Sequence, residues 1–225
     1  LLLSSKLWGG GVLSGVIRYE GQLPEHHKKP VTIDADICGH ESSPEDLVVG
    51  KNGGKKGALK NVVVFIQGAV SGGQSFSRSK QHASLDQKGC RFDPHIVLVP
   101  LGADLEILNS DGVLHGFHTL SRTNPPMNKA QPASTPKMVV RFQSPEIFEI
   151  RCDVHDWMRG WIVVEEHPYY SVSDEEGHFR LQDLPAGNYT VRVWHEVLGM
   201  QSKRVQIVEG QETRADFKMS SPASP

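Results

Sequence analysis

The chain has 225 residues and a formal net charge of -2, with 24 Lys and Arg set against 26 Asp and Glu. That balance excludes the basic footprint of a nucleic-acid binder and the charge excess of an acidic tail, and the length admits two domains, each able to bury a core. The 22 Gly and 14 Pro, spread among short alternating runs, predict an all-β chain of many strands and turns.

The first residues, Leu1-Leu2-Leu3-Ser4-Ser5-Lys6-Leu7-Trp8, read either as the tail of a signal-peptide core or N-terminal membrane anchor, or as a loosely packed arm. No run approaches the ~20 apolar residues of a membrane span. Gly11 to Tyr19 alternates apolar with polar or small residues, and Asn61 to Gln67 reads as a buried strand. Between them, His26-His27 reads as a solvated turn, Cys38-Gly39-His40 stands isolated, and Asn52 to Gly57 forms a flexible basic loop. Ser71 to Gln81 is Gly/Ser-rich, as linkers are.

Cys90 is followed by Phe92, the run Pro94 to Val99, a turn at Gly102-Ala103-Asp104, and then Asn109-Ser110-Asp111-Gly112-Val113-Leu114-His115-Gly116-Phe117-His118. Successive strand residues point to opposite faces, so only one of His115 and His118 can face a given site. His115 is preferred because it follows the turn-prone Asn-Ser-Asp-Gly cluster and so sits at the open end of the strand. Ser121 to Lys137, with four Pro, predicts a long loop with a docking or shielding role.

Cys152-Asp153-Val154-His155-Asp156-Trp157-Met158 then places a thiolate, an imidazole and a thioether at three-residue intervals. Soft sulfur ligands select copper, and two His, one Cys and a long axial Met make a blue-copper site, whereas zinc sites rarely use Met. Singly, a buried Cys, a surface His or a core Met is ordinary. The joint pattern of His115, Cys152, His155 and Met158 carries the expectation of one type 1 copper. Asp153 and Asp156 place two carboxylates beside it, which favours the more positive, oxidised metal.

These surroundings resemble the small blue-copper proteins, the cupredoxins, and amicyanin most among them. Cys152-x-x-His155-x-x-Met158-Arg159-Gly160 with Ile162 to Glu165 is similar to the ligand loop and last strand, Phe92 to Val99 with Gly102-Ala103-Asp104 to an early strand and turn, and Pro126-Met127-Asn128-Lys129 to the loop between ligand segments. The resemblance covers residues 81–166 and implies that His115, Cys152, His155 and Met158 hold the copper. The family's residue after the upstream His is usually Asn, which ties the ligand loops together; Gly116 stands there, so that tie is absent or replaced.

Beyond the copper segment, Tyr170-Ser171-Val172, the turn Asp174 to Gly177, His178-Phe179-Arg180-Leu181, Leu184-Pro185-Ala186-Gly187 and Tyr189 to Trp194 follow, with Val205 to Val208 and Ala215 to Met219 completing a sheet. Gly177-His178-Phe179-Arg180-Leu181 and Leu184 to Tyr189 resemble the carboxypeptidase regulatory-like, or prealbumin-like, β-sandwich. Gly supplies turn conformations closed to other residues, while Phe179, Leu181, Tyr189, Val191 and Val193 alternate into one core. The reading is a Greek-key cupredoxin sandwich (81–166) inserted into a second sandwich (7–80 and 167–219), with a tail at 220–225.

With Cys152 on copper, Cys38 and Cys90 remain; in an oxidising compartment two such thiols tend to pair, and two free buried cysteines are the alternative. The expected role is that of an extracytoplasmic, periplasmic electron-transfer protein, not an enzyme. The other His residues (His26, His27, His40, His82, His95, His167, His178 and His195) show no convergent spacing for a second copper. Expected partners are redox proteins, including a membrane-bound electron-transfer complex. The alternative is an accessory subunit bracing a respiratory or photosynthetic assembly, with or without copper. His155, on its loop, is the expected exit for electrons, and Trp157 with Met127 the expected apolar docking patch.

Overall fold

A computed structural model describes residues 9–22, 27–50, 57–76 and 82–221. The N-terminal arm, His26, most of the basic loop, the end of the Gly/Ser-rich linker and the last four residues lie outside them. No helix among the described residues is long and apolar enough to cross a membrane. In chain order the elements are β1 (Gly11–Tyr19), β2 (Lys29–Pro30), a short α1 (Ala35–Cys38), β3 (Glu41–Ser42), β4 (Val63–Ile66), β5 (Ala83–Gln87), β6 (Phe92–Asp93) and β7 (Ile96–Pro100). Then come β8 (Asp104–Asn109), β9 (His115–Thr119), β10 (Asn128–Gln131), β11 (Lys137–Arg141), β12 (Glu146–Arg151) and β13 (Arg159–Glu165). The last six are β14 (Tyr170–Val172), β15 (His178–Leu184), β16 (Gly187–His195), β17 (Gly199–Ile207), β18 (Glu212–Arg214) and β19 (Phe217–Met219).

The chain divides into two compact units, each all-β. The sandwich unit comprises residues 1–22, 46–74 and 169–225. Its first sheet runs β15-β1-β18 with β19 also on β1, and its second runs β14-β4-β16-β17. β1 lies antiparallel to β15 and parallel to β18 and β19, so the first strand is fixed by the last ones. The alternation in β1 sends Leu13 and Ile17 into a core with Leu59, Val64, Ile66, Phe179, Leu181, Val191, Val193 and Phe217. Phe179 and Leu181 reach that core from one sheet, Val191 and Val193 from the other, with Tyr189 packed at its margin.

Two strands differ from expectation. β17 begins at Gly199 rather than Val205, because it pairs along the whole of β16 while showing mostly polar, exposed side chains that hide its period. The expected strand Ala215 to Met219 is broken: β18 and β19 are separated where the Ala215 amide donates to the Ser14 carbonyl (2.8 Å) and Asp216 accepts the Val16 amide (2.9 Å).

The inserted unit holds residues 23–45 and 75–168. Its sheets are β10-β9-β12-β13-β7 and β11-β8-β5-β6, closed on a core that includes Leu85, Phe92, Leu105, Ile107, Phe117, Phe148, Ile150 and Ile162. The segment 23–45, which precedes the expected start of this unit at residue 81, is joined to it by a Cys38–Cys90 disulfide across 52 residues of sequence. The pairing expected from the cysteine count is therefore present. Ser121 to Lys137 is not one loop: β10 lies inside it and pairs with β9.

The start of that stretch is wrapped round Glu146. Its carboxylate accepts the amides of Arg122 (2.6 Å) and Thr123 (3.0 Å), the Ser121 hydroxyl (2.6 Å), and both the amide and side chain of Asn124 (3.1 and 3.0 Å). Burial alone would raise its pKa; the hydrogen bonds from Ser121, Arg122 and Asn124 outweigh it and lower the value from 4.5 to about 2. A depressed carboxylate stabilises the fold above its ordinary pKa, and that contribution is lost as pH falls from about 4.5 through about 2. Glu146→Gln is expected to cost about 1–2 kcal/mol at pH 7 in urea unfolding, after discounting for partial exposure, and less at pH 3. Equal losses at the two pH values would refute this.

Candidate metal centre

β9 opens at His115, and its alternation turns that ring inward, fully buried, while His118 stays partly exposed. β12 and β13 form a hairpin whose last paired residues are Arg151 and Arg159, and the loop between them carries Cys152, His155 and Met158. Two backbone bonds close this loop, Met158 N–H to the His155 carbonyl (2.9 Å) and Cys152 N–H to the Met158 carbonyl (3.2 Å). All four residues are buried.

His115 Nδ1 and His155 Nδ1 stand 3.1 Å apart, and Cys152 Sγ lies 4.0 Å from the first and 3.6 Å from the second. Donors each bound at about 2.0–2.3 Å to one ion stand roughly 3.3–3.8 Å apart; the observed separations straddle that range, so the three atoms are close enough to share a metal. The outer nitrogens are taken: His115 Nε2 lies 2.9 Å from Asp111 Oδ2 and His155 Nε2 3.0 Å from Asp34 Oδ2. An ionised carboxylate only accepts, so each Nε2 donates its proton to its carboxylate and each ring turns its Nδ1 inward. Two ring nitrogens facing each other in a buried site need a proton or a metal ion between them. Burial pushes the His115 pKa below its usual 6.5, against the opposing Asp111 bond, which favours the neutral form that ligates.

Cys152 Sγ accepts the amides of Gly116 (3.2 Å) and His155 (3.4 Å). Gly116 eases this approach: a Cβ there would sit 3.1 Å from the Asp153 nitrogen, tight enough to press β9 and the ligand loop slightly apart. The missing Asn tie is replaced by this contact and by a buried amide network behind His115. There Gln87 donates to Gln131 (2.6 Å), and the Asn109 side chain donates to the carbonyls of Val113 (2.8 Å) and Gln131 (3.0 Å).

The carboxylates touching the ligand rings are Asp111 and Asp34. Asp153 is engaged by His118 (2.9 Å) and Asn128 (2.7 Å), which hold it below the usual carboxylate range. Asp111, four residues before His115, was legible as part of the turn. Asp34, far away in sequence, left no local signal. His155 does not reach the surface: its ring is fully buried, with Asp34 on its outer edge. Met127 and Trp157 are partly buried against the core, and the indole donates to the Cys90 carbonyl (3.2 Å).

The fold and the buried cluster define an all-β chain of two sandwich-like units, one of which carries a His₂Cys cluster. Residues 162–220 match the family model of the carboxypeptidase regulatory-like domain. Among solved structures the chain is similar to a copper-containing nitrite reductase from Thermus scotoductus SA-01 (20% identity, 44% of this chain and 25% of that one, TM-score 0.35). It is similar also to a purple cupredoxin from Nitrosopumilus maritimus (14% identity, 38% of this chain and 100% of that one, TM-score 0.32) and to a single-residue variant of amicyanin in its Cu(I) form (17% identity, 45% and 98%, TM-score 0.34). This chain thus spans a quarter of the length of the nitrite reductase and nearly all of the two smaller proteins. No curated protein matches it.

Proposed function

We propose that the protein is a one-electron carrier that binds a single type 1 copper through His115, Cys152 and His155, with Met158 as the axial ligand. The supporting observation is the convergence of two inward-facing Nδ1 atoms and one thiol sulfur, all within 4.8 Å of one another and all buried. Copper in such a site supplies reversible one-electron chemistry. The chain's own part is to keep water out, hold both rings in one tautomer through Asp111 and Asp34, and present a thiolate steadied by two amides. Both ring-bound carboxylates favour the more positive metal state.

The Cys38–Cys90 disulfide supports an extracytoplasmic, periplasmic setting. A redox protein, free or in a membrane-bound complex, is the proposed partner. The test is addition of copper(II) to purified protein, followed by visible spectroscopy. Intense blue charge-transfer absorption is expected, and a colourless copper complex with accessible, reduced Cys152 would end this reading. His115→Ala is expected to destroy the colour. His118→Ala is expected to leave it, because that ring bonds Asp153 instead; the reverse result would place the ligand on the other strand face.

A further inference from the structure

We infer that the segment from Asp34 to Cys38, clasped by the Cys38–Cys90 disulfide, is a redox-responsive brace on His155. Asp34 is a positioning residue that holds the ring while the disulfide is intact and releases it when the disulfide is reduced. Its effect on the metal rests on the copper reading; its effect on the ring does not.

Among the described residues the disulfide is the one covalent tie of this segment to the unit's core apart from the main chain. α1 is a single turn with no buried residue; Ile33 before it and Ile37 within it are 45% and 50% exposed. The bonds from Lys28 to Glu41 and from the Val31 amide to the His40 carbonyl fold the segment on itself. The ion pair of Glu45 with Arg91 (3.8 Å) lies at its far end and is open to water. Asp34 is joined to Cys38 by one turn, through the Cys38 amide on the Asp34 carbonyl (2.8 Å). Asp34 also adopts φ 52, a left-handed conformation that a non-glycine residue keeps only where its surroundings impose it. Its side chain makes no capping bond to α1 and is spent on His155.

Cys90 sits at the hub of both braces. Its amide donates to Asp111 Oδ2 (2.8 Å), the same oxygen that holds His115 Nε2. Its carbonyl accepts from Trp157, whose ring lies 5.1 Å from that of His155. Its sulfur reaches Cys38, and both sulfurs lie within 4.8 Å of a ligating-type nitrogen of His155. Reduction by a dithiol breaks the S–S bond; each sulfur takes up one electron and one proton, and the dithiol closes to its own disulfide. Loss of that bond leaves Asp34 on an unanchored turn. The ring then loses the carboxylate that orients it and raises its basicity, so the copper potential rises.

The experiment uses the full chain. In metal-free protein, nitrogen-resolved NMR of His155 is expected to show one tautomer, protonated at Nε2, with a slowly exchanging proton. Reduction by a phosphine, the pair Cys38→Ser with Cys90→Ser, and Asp34→Ala should each speed that exchange about tenfold or more. Asp34→Asn, which can still accept, should keep the tautomer. In copper-loaded protein, Asp34→Ala and disulfide loss should each raise the potential, and together no further than either alone. If the serine pair fails to fold, phosphine reduction of the unmodified chain decides. A His155 proton as protected after reduction as before overturns the inference, even with the blue colour present. Loosened exchange in a protein that never turns blue would keep the brace and remove the carrier.

Discussion

Cys152→Ser is expected to abolish the blue absorption of copper-loaded protein and stop electron transfer to any partner while the fold persists. The hydroxyl is nearly isosteric with the thiol and still accepts the amides of Gly116 and His155, so the ligand loop keeps both of these bonds. The charge-transfer band belongs to a copper–thiolate bond, which oxygen cannot supply, and the soft ligand that selects copper is gone. Visible spectra and circular dichroism of both proteins check this. A variant that stays blue would move the site elsewhere, and one that unfolds would make Cys152 structural.

The second large effect is expected at Gly177, away from the metal. Its φ is +75, and a Cβ would collide with the Ile17 carbonyl oxygen and stand 3.2 Å from the Leu59 nitrogen. That carbonyl accepts the Leu59 amide (3.0 Å), while the Ile17 amide donates to the Gly177 carbonyl (2.8 Å), so the turn is bound to the centre of β1. Gly177→Val adds a β-branched side chain where neither the backbone angle nor the space admits one, at a cost of about 3 kcal/mol or more. The thermal transition of the sandwich unit should fall by about 10 °C or more. The copper colour should survive, since the two apolar cores share no residue. An unchanged transition would show that the turn relaxes freely; loss of colour would show that the units fold as one.

Legibility in the sequence followed the range of the interactions. Alternation in β1, β15 and β16 is local, and so were the turns at Gly112 and Gly177, which is why the all-β class and the sandwich strands could be read directly. Cys152, His155 and Met158 share one loop, and His115 starts a strand after a turn, so spacing and the family resemblance together pointed to residues of which the structure brings His115, Cys152 and His155 together. Asp34 was invisible because it meets His155 across 121 residues of sequence, beside a disulfide, and a cysteine count names partners without saying what they carry along. The buried edge of His155 was missed for the same reason.

The parallel pairing of β1 with β18 and β19 also dictates an order of events as the chain emerges from the ribosome. The first strand has to wait for residues beyond 178 before any partner in its own sheet exists, whereas the strands of the inserted unit are complete once Glu165 has appeared. Until residue 178 appears, Leu13 has no strand of its sheet beside it, and Ile17 has only the Leu59 amide to take on its carbonyl. The N-terminal strand is the part of the nascent chain that a chaperone has most reason to hold, and the unit finished in the middle is the first able to close its core.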